Sequence, residues 1–148
     1  MDVASSLDVA ANLSIGANLS LVLSEQGPAV NCLALVLLAM MVQSEAGSEP
    51  FDGKLAVAYV AVNRAQMSGK PLEVVLRQPK QFAIFPRVDI SESSWLAARM
   101  ALYRQQPDPT HGADHFYNPL VLPWPKWYDE RYMTTKIGRH SFLKLGGF

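Results

Sequence analysis

The chain has 148 residues, 49% hydrophobic and 18% charged, with 13 Lys plus Arg balancing 13 Asp plus Glu. That length suits one domain around one core, and that composition excludes a disordered chain. A formal net charge of zero argues against a basic nucleic-acid binder, and Cys32, the single cysteine, excludes an intrachain disulfide framework.

The charges are unevenly placed. No Lys or Arg precedes Lys54, and the first 53 residues carry six acids: Asp2, Asp8, Glu25, Glu45, Glu49 and Asp52. Bases outnumber acids afterwards, which suits approach to an anionic polymer, although a solvated surface gives the same pattern. The N-terminus lacks the positively charged region of a secretory signal. The longest apolar run, Ala29 to Val42 with Asn31 inside it, is too short to span a bilayer. Cys32 falls in that run and is expected to be a small core residue.

In the first 27 residues, Ala11-Asn12-Leu13-Ser14 recurs as Ala17-Asn18-Leu19-Ser20. Ile15, Leu19, Val22 and Leu23 have helical spacing, weakened by Gly16, so a loosely held helical extension over 1–27 is expected, broken at Gly27-Pro28. A helix follows from about Ala29 to Ala46, stopped by Gly47. Ser48-Glu49-Pro50 opens the next, with Pro in its first turn and an apolar stripe of Leu55, Ala58, Tyr59 and Val62, ended at Met67-Ser68-Gly69. Pro71 starts a short helix with Leu72, Val75 and Leu76. Residues 79–86 read as irregular. Asp89 or Ser91 caps a helix to about Gln105, with Trp95, Ala98 and Leu102 on its inner face. His115-Phe116-Tyr117 reads as a short strand and the Pro-, Trp- and Tyr-rich stretch 120–132 as an ordered loop. Thr134-Thr135-Lys136 and His140 to Leu143 flank a turn at Ile137-Gly138-Arg139. The expected fold class is α+β: mainly helical, with a small antiparallel sheet toward the C-terminus.

Glu45 stands out chemically. It closes a nearly all-apolar helix and shares a face with Leu38, Met41 and Val42. Burial disfavours the charged carboxylate, and a carboxyl kept protonated near neutral pH is what glycosidic cleavage requires. A structural acid that caps a loop or pairs with an Arg would occupy the same position.

Four blocks in order carry a resemblance. The first is Val42-Gln43-Ser44-Glu45-Ala46-Gly47-Ser48-Glu49-Pro50, with Gly53-Lys54-Leu55-Ala56-Val57-Ala58 and Val62-Asn63-Arg64 after it. Next come Gln81-Phe82-Ala83, then Asp108-Pro109-Thr110 with Gly112-Ala113 and Phe116-Tyr117-Asn118-Pro119, and last Ile137-Gly138-Arg139-His140-Ser141-Phe142. Together they resemble the spore cortex-lytic cell wall hydrolases of the SleB/CwlJ type. Ser48 stands where that family has Gly, Gly47 comes one place early, and Ala83 replaces a Ser.

The resemblance implies a lysozyme-like domain over 28–148 that cuts the glycan strands of peptidoglycan, as a lytic transglycosylase or muramidase, with Glu45 as general acid/base. It implies no cofactor and no metal. The partner would be peptidoglycan, with no nucleic acid and no stable membrane span; the oligomeric state stays open. A transglycosylase needs one acid/base, and no second acid has an equal claim. Glu49 and Asp52 are nearest, and an acid in a first helical turn is commonly structural. Tyr117 and Asn118 suit substrate binding, or equally a packed ring and a turn before Pro119. Gln81, His140 and Glu49 complete the candidate groove. Trp124, Trp127 and Tyr128 could stack on sugars but read as packing of the Pro-rich loop.

Two rivals remain. His111, Asp114, His115 and His140, with Cys32 as an outsider, are metal-ligand types that would suit a zinc-dependent N-acetylmuramoyl-L-alanine amidase, although no HExxH pattern exists. A wall-binding or virion structural protein could keep the fold without catalysis. With neither an export signal nor wall-binding repeats, the expectation is a phage endolysin held in the host cytoplasm until release, or a phage particle component.

Overall fold

The computed structural model describes residues 32–121 and 123–147. The expected extension over 1–27, and the start of the first helix at Ala29, lie outside them. Helix α1 spans Cys32–Ala46, α2 Phe51–Ser68, α3 Leu72–Leu76 and α4 Glu92–Leu102. Strand β1 is His115–Tyr117, β2 Met133–Ile137 and β3 His140–Leu143, with a 3₁₀ turn at Glu130–Tyr132 before β2. The sheet is antiparallel in the order β1-β3-β2. This is the mainly helical α+β arrangement expected.

Helix α2 is the centre of the unit. Its expected stripe of Leu55, Ala58, Tyr59 and Val62 is buried, but so is every residue from Gly53 to Arg64. A helix apolar on one face can be covered on one face; this one is packed by α1, α3, α4 and the sheet, and so is buried all round. Its polar residues therefore need partners inside. Lys54 Nζ donates to Ser93 Oγ at 2.7 Å. Gln43 Oε1 on α1 accepts from the Ser91 N–H at 3.1 Å and from Ser94 Oγ at 2.8 Å, fastening α1 to the capped start of α4. Gly69 ends α2 at φ 65°, as its position predicted.

Two expectations change. Helix α4 buries Ser94, Ala97, Ala98 and Ala101, while Trp95 faces solvent. Small side chains let α4 approach α2 closely, and that decides the inner face over residue size. Cys32 is exposed and not a core residue, because it opens α1 ahead of the first core position, Ala34.

The C-terminal strands form where expected. Ile137 pairs with His140, so Gly138 and Arg139 make the turn. All four residues of β3 are buried, because β3 lies between β1 and β2 and packs on the helical core.

Candidate active site

The motif residues meet because three polar side chains of the core reach chain segments far away in sequence. Asn63 Nδ2 donates to Asp108 Oδ2 and to the Ala113 carbonyl, both at 2.9 Å. Asp108 also accepts from the Thr110 N–H at 2.8 Å and the Gly112 N–H at 2.9 Å. These hydrogen bonds hold the Asp108 carboxyl below the usual carboxylate range against the opposing effect of burial. Arg64 Nε donates to the Asp114 carbonyl. Asp114, fully buried, accepts from the Leu145 N–H at 2.8 Å, the Gly146 N–H at 2.6 Å and His115 Nδ1 at 2.8 Å, and its carboxyl is likewise held low. The Asn-Arg pair of α2 thus carries β1 and the C-terminal segment to the end of α1.

There a cleft of about 680 Å³ opens. Glu45 lines it together with Arg64, Gln81, Tyr117, Asn118 and His140. Glu45 is half-buried in the last turn of α1. Burial raises its pKa above the usual 4.5, while the Ala83 N–H, donating to Glu45 Oε1 at 2.6 Å, and the Arg64 charge pull the other way. The C-terminal end of a helix dipole also disfavours negative charge there. A carboxyl in this setting is protonated over a wider range than a free one.

Of the residues singled out from the sequence, Gln81, Tyr117, Asn118 and His140 join Glu45 in the cleft lining, and Glu49 does not. Glu49 is buried under the β2–β3 turn, where its Oε2 accepts the Arg139 N–H at 3.0 Å. Gln81 is partly committed elsewhere: its Oε1 accepts from Arg64 Nη1 at 2.8 Å. Asn118 Oδ1 accepts the Leu120 N–H at 3.0 Å, so the turn before Pro119 is one of its tasks. His140 is buried, with its ring edge-on to Phe116, and its Nδ1 has no partner. Burial lowers its pKa, with Glu49 pulling upward, which leaves a neutral imidazole near pH 7.

Arg64, His115 and Trp127 are among the lining residues that the sequence did not assign to the groove. Arg64 is buried with its guanidinium 4.6 Å from the Phe82 ring centre; a cation that follows the apolar run Leu55 to Val62 on the same helix was the available signal. His115, by residue type a candidate metal ligand, lines the cleft instead. Trp127, expected to pack the Pro-rich loop, lines the cleft, 40% exposed, and leans on His115 at 5.0 Å between ring centres. Trp124 and Tyr128 do pack the loop, against Tyr117 and each other.

The proposed zinc ligands do not converge. Among the described residues no three His, Cys, Asp or Glu side chains are grouped to hold a metal. His111 is exposed on its loop, and Asp114 is occupied by His115 and two backbone N–H groups. No helix among the described residues is long and apolar enough to cross a membrane.

The Cell Wall Hydrolase family model matches residues 48–143, about two thirds of the chain. The chain belongs to that family. Glu45 lies three residues ahead of the matched segment. Its relatives include the spore cortex-lytic enzymes of Bacillus cereus, 32% identical over 73% of this chain and 43% of the relative, and of Halalkalibacterium halodurans, 33% identical over 72% and 33%. The chain therefore spans less than half the length of these curated relatives. Among solved structures it is similar to the catalytic domain of the Bacillus cereus SleB protein, with a TM-score of 0.67 and 29% identity, covering 79% of this chain and 94% of that one. The catalytic domain of the germination-specific lytic transglycosylase SleB from Bacillus anthracis matches with a TM-score of 0.68 and 27% identity, over 78% and 98%.

Proposed function

We propose that this chain cleaves the glycan strands of peptidoglycan as a lytic transglycosylase, with Glu45 serving first as general acid and then as general base. One observation carries the reading: Glu45, with its raised pKa, is the only carboxylic acid among the described residues that line the cleft. A hydrolase of the two-carboxylate kind needs a second acid facing the same sugar to act on water or on the anomeric carbon. A transglycosylase does not. Glu45 gives its proton to the glycosidic oxygen as the C1–O bond breaks. The resulting carboxylate takes the proton of the C6 hydroxyl on the same sugar while that oxygen bonds to C1. The product is a 1,6-anhydro end, no water is consumed, and Glu45 is again protonated. The names of the relatives, spore cortex-lytic enzymes and a lytic transglycosylase, support the same chemistry.

The test is a digest of purified peptidoglycan by wild type and Glu45→Gln, with and without EDTA, read by mass spectrometry. The expected products are anhydromuramyl ends from wild type, insensitive to EDTA, with a loss of about 10²–10⁴-fold in the variant. Reducing muramyl ends would replace transglycosylation by hydrolysis and require another group to activate water. Released stem peptides, or full activity in Glu45→Gln, would overturn the reading.

A further inference from the structure

Residues 81–83 hold two charged groups from two different helices. Ala83 N–H donates to Glu45 Oε1 at 2.6 Å, Gln81 Oε1 accepts from Arg64 Nη1 at 2.8 Å, and the Phe82 ring takes the Arg64 guanidinium at 4.6 Å. The next turn repeats the attachment, with the Phe85 N–H donating to Ser44 Oγ at 3.1 Å. The segment is bracketed by Lys80 and Arg87, both at φ 62°. Left-handed backbone at two residues without glycine is kept only where the surroundings impose it. The loop is thus built to a set shape, and that shape puts a carboxyl and a guanidinium on one cleft.

We propose that Arg64 is the positioning residue of Glu45: residues 81–83 clamp both, and the fixed guanidinium supplies the counter-charge that the Glu45 carboxylate meets once its proton has gone to the leaving oxygen. This rests on the glycan-cleaving reading above. A single acid/base that must give a proton and then take one back needs both of its states within reach, and burial alone favours only the protonated one. A cation held in place beforehand stabilises the charged state at no reorganisation cost at the moment of reaction.

The other basic side chains lining the cleft leave this task to Arg64. His115 on β1 and His140 on β3 are both pushed toward the neutral form by burial, and Lys80 on the loop is exposed. Arg64 is buried, anchored by the Asp114 carbonyl, Gln81 and Phe82, and acts on Glu45 through its charge.

The experiment follows the Glu45 carboxyl directly in the full chain, by ¹³C NMR titration of carboxyl-labelled protein with Glu45→Gln for assignment. Arg64→Met should move the Glu45 midpoint to higher pH. Gln81→Ala, at an exposed position, should move it the same way by less, because the guanidinium is loosened and not removed. In cleavage assays the alkaline limb should follow the midpoint, and kcat should fall more than KM rises. A Glu45 midpoint unchanged in folded Arg64→Met overturns the proposal. Should Arg64→Met not fold, an unchanged midpoint in Gln81→Ala does so. The titration uses no substrate, so its failure is separable from a failure of the glycan digest.

Discussion

Gly138→Ala is a substitution whose cost the structure sets directly. Gly138 opens the turn between β2 and β3 at φ 58°, and a Cβ added there would stand 1.9 Å from Glu49 Oε2. Two costs follow. A side chain in the left-handed region costs about 1–2 kcal/mol. The Glu49 carboxyl must also swing away, losing the Arg139 N–H it holds at 3.0 Å, and a hydrogen bond to a charged group contributes about 1.5–3 kcal/mol. The 3.8 Å ion pair with the exposed Arg139 side chain adds little. The expected loss is about 3–4 kcal/mol, roughly 10 °C in melting temperature for a unit of this size. Urea and thermal unfolding of wild type, Gly138→Ala, Glu49→Ala and the double variant measure it. Glu49→Ala removes the clash and the hydrogen bond together, so in that background Gly138→Ala should cost only the backbone share of about 1–2 kcal/mol. A double-mutant cycle additive within about 0.5 kcal/mol would refute the contact and, with it, the assignment of Glu49 to the hairpin.

Other consequences can be measured alongside. Glu45 has a folded pKa above its unfolded value, so it favours the fold at low pH and that contribution is lost as pH rises through the folded pKa. Glu45→Gln should therefore melt above wild type at pH 8, with the gap closing toward pH 4; a gap independent of pH would contradict the burial argument. Asp114 has the opposite sign. Its folded pKa is depressed, so its contribution is present above its unfolded value and lost as pH falls through the folded one. Asp114→Asn should cost about 2–4 kcal/mol at pH 7, from two N–H groups and His115 deprived of a charged acceptor, and less in acid; equal urea midpoints at pH 7 would sink this. Trp127→Ala should raise KM for glycan strands about tenfold with a smaller change in kcat, since an exposed ring in the cleft offers stacking area and no proton. A pure kcat effect would place Trp127 elsewhere in the mechanism.

The sequence by itself determined the local elements and the place of a carboxyl at the end of an apolar helix. Helix periodicity, Ser91 as a cap, Gly69 as a helix stop and the Gly138 turn are decided within a few residues, so α1 to α4 and the β2–β3 hairpin were legible, as was a carboxyl on the apolar face of α1. The order of the four motif blocks was legible too, but not what each residue touches. Gln81 turns to Arg64, 17 positions away; Ala83 turns to Glu45, 38 away; Arg139 is met by Glu49, 90 away. Such pairings cross several elements, and residue type gives no sign of them: an acid two places before a helix looks the same whether it binds a ligand or a turn. Tertiary packing also buried α2 on every side, turned Trp95 outward in favour of alanines, and left Trp127 open on the cleft. Side-chain burial is a property of what packs around an element, and for this chain only the assembled core decided it.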